Sequence, residues 1–381
     1  MRKVTKTIKK VIIFMNDNIP LVKVAMPSRD VLMPSLEEVL YSSMIGEGEA
    51  VYEFERSFSK KFALNHVVAV NSGTAALHIA FLLAGVKANS EVITTSMTAE
   101  PTNTTILNIG AKPIFADVEA SNGNICPDSI KQRISDETKA ICVVHYAGYP
   151  VDIRAIRKIA DEHSIPLIED CAHALGASVD GKPVGSFGDF AIFSFQAIKH
   201  ITTVDGGVLV VKNEAQLQEA KQLRWFGLTK GVPRDQVDIV QAGFKYNMNN
   251  VTATFGLAQL ESVDALLLAH MENGKYFDEM FLDMSGVSPA KIYDNSSGSY
   301  WLYTLLSDSA DEIQKALAEI GVESSKLHRP NHLHTVFFSD KTHLPNLDRF
   351  YSRLLHLPCG WWLKKRDRER IVETVRGAVL K

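Results

Sequence analysis

From residue 67 to residue 212 the chain alternates short, almost wholly apolar runs with segments whose apolar residues recur at helical spacing. The runs are Val67–Val70, Glu91–Ser96, Lys112–Val118, Lys139–Tyr146, Pro166–Asp170, Asp189–Phe195 and Gly206–Lys212. Successive side chains of a strand point to opposite faces, so a strand apolar at consecutive positions must be covered on both sides. Between the runs, Thr74–Leu83, Pro127–Ile134 and Val151–His163 read as helices; in the last, Ile153, Ile156 and Ile159 recur with Ala155 and Ala160 at helical spacing. Strands of this kind interleaved with helices predict an α/β fold, with a mostly parallel central sheet and helices on both faces. No helical segment separates the last two runs, which predicts a mixed sheet.

The texture changes after about residue 265. A long helical pattern from Val251 to about Phe281 leads into sparser strand signals: Tyr300–Leu306 reads as a strand, Ser309–Ile320 as a helix and Asp367–Leu380 as a terminal helix. The expected organisation is an N-terminal extension over 1–18, a large domain over 19–265 and a smaller C-terminal α/β domain over 266–381. The extension is basic, and its apolar stretch Val11–Met15 falls short of the roughly 7–15 apolar residues of a signal peptide. It reads as a frayed, flexible segment.

Composition narrows the function classes. With 41 Lys and Arg against 44 Asp and Glu the net charge is −3, which gives no global basic field for nucleic acid. No apolar run reaches the length of a membrane span, so no membrane association is expected. Cys126, Cys142, Cys171 and Cys359 are widely spaced, without a CxxC pair, and no HExxH occurs. That disfavours a zinc site or a disulfide framework, predicts no metal, and fits a reducing, cytoplasmic location.

Three segments carry chemistry. In Asn71-Ser-Gly-Thr-Ala-Ala-Leu77 an apolar strand meets small residues and then a helix. Backbone N–H groups at the helix start, with the Ser72 and Thr74 hydroxyls, suit a phosphate, although an ordinary helix cap reads the same way. In Pro166-Leu-Ile-Glu-Asp-Cys-Ala-His173, Asp170 ends a buried-looking strand, where parallel sheets form ligand sites. Its carboxylate suits a protonated ring nitrogen or a helix cap. In Phe193-Ser-Phe-Gln-Ala-Ile-Lys199 a lysine follows a strand in apolar company. Desolvation lowers the pKa of such an amine and makes it a nucleophile, whereas a solvated loop lysine does nothing of the kind. In this order the three supply what pyridoxal 5′-phosphate needs: a phosphate turn completed by Ser194, a partner for the pyridine nitrogen, and an amine to carry the aldehyde.

The chain resembles the DegT/DnrJ/EryC1/StrS family of nucleotide-sugar aminotransferases, from about Ile19 to about Thr374. The resemblance runs through GEGEAVYEFE (46–55), NSGTAALHIA (71–80), GAKPIFADVE (110–119), VHYAGYPVD (144–152), IEDCAHALGA (168–177), FGDFAIFSFQAIKHITTVDGG (187–207) and GFKYNMNNVTATFGLAQL (243–260). It implies the fold-type I architecture of pyridoxal phosphate enzymes. It also implies transfer of an amino group from glutamate, released as 2-oxoglutarate, to a nucleotide-linked keto sugar such as a 4-keto-6-deoxy hexose, in polysaccharide or lipopolysaccharide biosynthesis.

Roles follow position by position from that resemblance. Ser72, Gly73 and Thr74 match the phosphate turn, Ser194 the phosphate-binding serine, Asp170 the pyridine-nitrogen carboxylate and Lys199 the Schiff-base lysine. His173 matches the residue beside the ring and its O3′ oxygen. Gly243-Phe-Lys-Tyr-Asn247 matches a segment that comes from the neighbouring subunit, which implies a homodimer with shared sites. Many members have Asn where Lys245 stands, and a lysine there resembles a branch acting on 4-keto nucleotide sugars; it pairs either the phosphate or an interface carboxylate. Ala99 replaces the usual aromatic residue facing the ring, and Met97 is the candidate to cover it. Leu327–His332 lines up loosely with the substrate-facing segment. Arg224, after a helix, either reaches a diphosphate or donor carboxylate or satisfies helix carbonyls. A family branch with His in place of the lysine dehydrates the sugar instead. Lys199 therefore favours transamination over a nucleotide-sugar dehydratase or a non-catalytic regulatory protein of the same fold.

Overall fold

The computed structural model describes residues 18–337 and 342–380, so the extension expected over 1–18 lies outside it except for Asn18. In the large domain the strands are β1 (Val67–Val70), β2 (Glu91–Thr95), β3 (Lys112–Ala116), β4 (Thr138–Val144) and β5 (Leu167–Asp170). They are followed by the short pair β6 (Ser178–Val179) and β7 (Lys182–Pro183), then β8 (Phe190–Ser194) and β9 (Gly207–Val211). A seven-stranded sheet takes the order β1-β9-β8-β5-β4-β2-β3. Neighbours from β8 to β3 are parallel, and β9 is antiparallel to both β8 and β1. The mixed sheet expected from the missing helix before the last strand is present.

Both faces are covered, as the apolar runs required. Ala140 and Cys142 of β4 belong to one apolar cluster and Ile141 and Val143 to the other, as the two-residue period dictates. The helix Gly73–Leu83 fills one side, with Ala76, Ile79 and Ala80 fully buried. On the other, Phe54 and Phe58 of the helix Glu49–Phe62 pack edge-on to Phe195 at centroid distances of 5.6 and 5.5 Å.

The smaller region holds β10 (Ser288–Pro289), β11 (Ser296–Ser297), β12 (Tyr303–Leu306) and β13 (Leu354–Leu357). β10, β12 and β13 form one sheet, and β11 joins β6 and β7. The helices Ala310–Glu319 and Lys365–Val379 bury Ile313, Leu317, Ile371 and Val375 in a third apolar cluster. Ile19 pairs with Val322, so the first described residues are tied to this region.

The helix Asn250–Phe281 runs straight through the expected boundary at 265/266. Val263 and Leu267 sit in the large-domain core, Phe277 and Phe281 in the small-region core. Among the described residues it is the one helix long and apolar enough to cross a membrane, and its apolar residues serve these two cores.

Two expectations change. The strand read over Tyr300–Leu306 starts at Tyr303, because Tyr300 takes φ +46° while Ser299 and Leu302 donate to the Gly148 and Ala147 carbonyls instead of to a strand. The segment after β2 that carries Met97 and Ala99, for which no helix is read above, opens into the helix Glu100–Asn108. Its buried side is mostly polar (Thr102, Asn103 and Thr105, with Ile106), so no apolar periodicity announces it.

Candidate active site

The register of the sheet brings the ends of β4, β5 and β8 together: Val144 lies opposite Asp170, and Asp170 opposite Ile192. A cavity of about 370 Å³ opens outside these carboxyl ends, where open α/β sheets place their ligands. Ser72, Gly73, Thr74, Ala99, Asp170, His173, Ser194 and Lys199 all line it.

One end is built by the N-terminus of the helix Gly73–Leu83. The Ser72 hydroxyl accepts from the Ala75 N–H at 3.0 Å, and its carbonyl accepts from the Ala76 N–H. The Gly73 and Thr74 N–H groups find no acceptor among the described residues, which leaves the helix start suited to an anion. Only glycine fits at 73: a Cβ there would lie 2.9 Å from the Ser194 Cβ. The turn and the serine thus close on one another as a cradle for a small, charged group.

Asp170 marks the other end. It is 3% exposed; Oδ1 accepts from the Ala172 N–H at 3.1 Å and Oδ2 from the Thr102 hydroxyl at 2.9 Å. Burial pushes its pKa up, against those two hydrogen bonds and the nearby Lys199 charge. A buried carboxylate held by donors but by no bonded cation suits a protonated nitrogen. His173 is 2% exposed and burial holds it well below the usual imidazole range. Its Nδ1 accepts from the Ala147 N–H at 3.4 Å, which puts the proton of the neutral ring on Nε2.

Lys199 follows β8 in a turn bonded back to Gln196. Burial lowers its pKa from 10.5 to about 7, with Asp170 opposing. The amine is therefore divided between its two protonation states at neutral pH, as a group that both takes and gives a proton requires. Its Nζ rests 4.0 Å from the centroid of the Trp301 ring. An anion cradle, a buried acid and an amine with a depressed pKa around one cavity fit a molecule with a phosphate, a basic ring nitrogen and a carbonyl.

Three expected residues lie elsewhere. Met97 is fully buried in the small-region apolar cluster and does not face the cavity; its N–H donates to the Thr95 hydroxyl, which turns the chain inward there. Lys245 lies outside its own chain's cavity, with Nζ 2.7 Å from Asn247 Oδ1 and 4.2 Å from the Trp225 ring centroid. Arg224 is committed to Glu47, Glu55 and the Ala69 carbonyl at 2.7, 2.6 and 2.8 Å, so it is a buried structural cation.

Other residues at the cavity carry no motif. Thr102 bonds Asp170, Trp301 underlies Lys199, and His328 lines the cavity with its ring parallel to His173 at 5.6 Å. The segment around His328 is stitched to the loop that carries Ala99. Asn331 accepts from Asn103 at 2.8 Å and donates to the Thr98 carbonyl at 2.9 Å, and the His332 N–H donates to Ser96 Oγ at 2.9 Å. Nothing local in sequence links 96–103 to 328–332. Behind Asp170, His145, Glu169 and Cys171 cluster, fully buried. Glu169 accepts from His145 at 3.1 Å and from the Gly185 and Phe187 N–H groups at 2.9 and 2.8 Å, which uses both oxygens.

The model of the DegT/DnrJ/EryC1/StrS aminotransferase family matches residues 29–376. GDP-perosamine synthase of Vibrio cholerae is 32% identical over 82% of this chain and 86% of its own length. UDP-4-amino-4,6-dideoxy-N-acetyl-beta-L-altrosamine transaminase of Campylobacter jejuni is 31% identical over 90% and 93%. The crystal structure of the sugar aminotransferase CalS13 from Micromonospora echinospora superposes with a TM-score of 0.90 at 35% identity, covering 94% of this chain and 99% of that one.

Proposed function

This chain belongs to the DegT/DnrJ/EryC1/StrS aminotransferase family, and we propose that it transfers the amino group of glutamate to a nucleotide-linked keto sugar, with pyridoxal 5′-phosphate held around Lys199. The observation that carries this reading is the meeting, in one cavity, of a lysine with a depressed pKa, a buried carboxylate and a helix start closed by a serine.

Each group suits a different part of the cofactor. The Gly73 and Thr74 N–H groups and the Ser194 hydroxyl would hold the phosphate. Asp170 would face the ring nitrogen and keep it protonated, and a cation there offsets the desolvation of its carboxylate. His173 would lie beside the ring, its Nε2–H available to a ring oxygen. When bound, the cofactor supplies an aldehyde that condenses with amines and a protonated ring that stabilises the electron pair left when a C–H bond breaks. Moving the proton is the work of Lys199. Its Nζ, neutral in part at pH 7, takes the proton from the donor's α-carbon; as an ammonium it gives a proton back. The same atom runs the second half in reverse, after 2-oxoglutarate has left and the keto sugar has entered.

Lys245 and the partner subunit belong to the same proposal. We place Lys245 at the cavity of a second copy in a homodimer. Its position outside its own cavity supports this, as do the apolar side chains exposed along 31–45 and 226–240, among them Tyr41 at 84% and Val240 at 83%. A cytoplasmic location is supported by the absence of disulfides among the described cysteines.

The test is a panel of 3- and 4-keto nucleotide sugars incubated with glutamate and read by mass spectrometry. The expected result is one amino sugar formed with an equal amount of 2-oxoglutarate. A deoxygenated product without nitrogen, or bound cofactor with no turnover of any member, would contradict the proposal.

A further inference from the structure

Trp301 lies against Lys199 and His173 at the candidate site. Its ring is 2% exposed, and its Nε1–H donates to the Ile198 carbonyl at 2.8 Å, one residue before Lys199. The Lys199 Nζ lies 4.0 Å from its ring centroid. The His173 ring stacks on it at 4.1 Å and 22°. One indole therefore holds the backbone of the lysine, the amine of the lysine and the neighbouring imidazole.

The backbone that presents it is unusual. Tyr300, just before it, takes φ +46°, a conformation that costs an aromatic residue free energy and persists only where the surroundings impose it. Here His270 Nδ1–H donates to the Tyr300 carbonyl at 2.9 Å, and the Tyr300 hydroxyl donates to Asp278 at 2.6 Å. On the opposite side, Gly148 takes φ +95°, and a Cβ there would lie 2.7 Å from the Tyr300 and Trp301 nitrogens. Several elements converge to hold this one ring in place.

We propose that Trp301 is a positioning residue for Lys199, its π face being the seat on which the lysine ammonium rests whenever the amine is not joined to the cofactor. The role between half-reactions rests on the function proposed above; the seat itself does not. A buried ammonium needs a negative partner, and the one carboxylate that acts on it here, Asp170, is wanted by the ring nitrogen. An aromatic face attracts the cation without a salt bridge that would have to be broken at every turnover. The other groups facing the amine are His173, His200 and His328, all held neutral by burial, with Glu100 and Asp205 further along the cavity wall. The neutral histidines offer the ammonium no attraction, and the indole is the group in direct contact with it.

The test reads the amine directly, without turnover. Lys199 is titrated by competitive acylation across pH, with peptide mapping, in the full chain both cofactor-free and loaded with pyridoxamine 5′-phosphate. Wild type is compared with Trp301→Leu and Trp301→Phe, and circular dichroism reports whether each is folded. Leucine removes the π face, so the Lys199 pKa should fall by roughly half to one unit. Phenylalanine keeps a weaker face and should lose less. A Lys199 pKa unchanged in folded Trp301→Leu, or a drop in Trp301→Phe as large as in Trp301→Leu, would overturn the proposal. Failure of the aminotransferase reading would show instead as absent turnover with this titration intact.

Discussion

Lys199 shows how a single residue can be costly and useful at once. A fall from 10.5 to about 7 means that the buried ammonium is disfavoured by roughly 5 kcal/mol relative to the unfolded chain. The folded pKa is the lower one, so the unfolded chain binds more protons between the two values and stability rises with pH across that window. Lys199→Met should therefore raise the melting temperature of the cofactor-free protein at pH 7, and the gain should fade as the pH approaches 10.5. Equal gains at both pH values in thermal denaturation would mean that desolvation of the amine is not the cause. Lys199, Asp170 and Ser194 were legible in sequence because each sits a fixed step from a strand end. Thr102 and Trp301 were not, because each comes to the site from a segment far away in the chain and only packing brings it there; His328 was read only as part of Leu327–His332. Met97 misled for the same reason: its place in the sequence says nothing about which side of the loop its side chain takes.

At the scale of elements, the apolar runs gave the strands of the large sheet within a few residues, since a doubly covered strand leaves a plain signal. Elements whose buried side is polar or very short left none. The helix Glu100–Asn108 buries Thr102, Asn103 and Thr105, and β6, β7, β10 and β11 span two residues each, held by partners distant in sequence. The helix Gly73–Leu83 gives a direct test of how an element start becomes a binding site. A methyl at position 73 meets the Ser194 Cβ at 2.9 Å and must push the turn and the serine apart. Gly73→Ala should weaken cofactor binding about tenfold or more, as one charge-assisted hydrogen bond lost at the phosphate would, while the far-ultraviolet circular dichroism stays that of wild type. Cofactor affinity unchanged in an absorbance titration would remove this turn from the phosphate site.

Across the whole molecule, the sheet end and the small region meet at the cavity. The sheet supplies Asp170, Ser194 and Lys199; the small region supplies Trp301 and His328, fastened through Asn331 to Asn103. In the proposed homodimer a further part, Lys245, arrives from the partner, and this can be checked by complementation. Lys199→Ala and Lys245→Ala homodimers should each be impaired. Subunits exchanged between them should regain up to about a quarter of wild-type activity, because half of the dimers are mixed and each mixed dimer has one intact site. No recovery in exchanged dimers would place Lys245 outside the partner's site.

In the proposed function, Lys199 is the residue that joins the cofactor to the chain. Borohydride reduction of the protein loaded with pyridoxal 5′-phosphate, followed by peptide mapping, should place the label on the peptide that carries Lys199 and leave Lys199→Ala unlabelled. Label on another lysine, or none at all, would contradict the account.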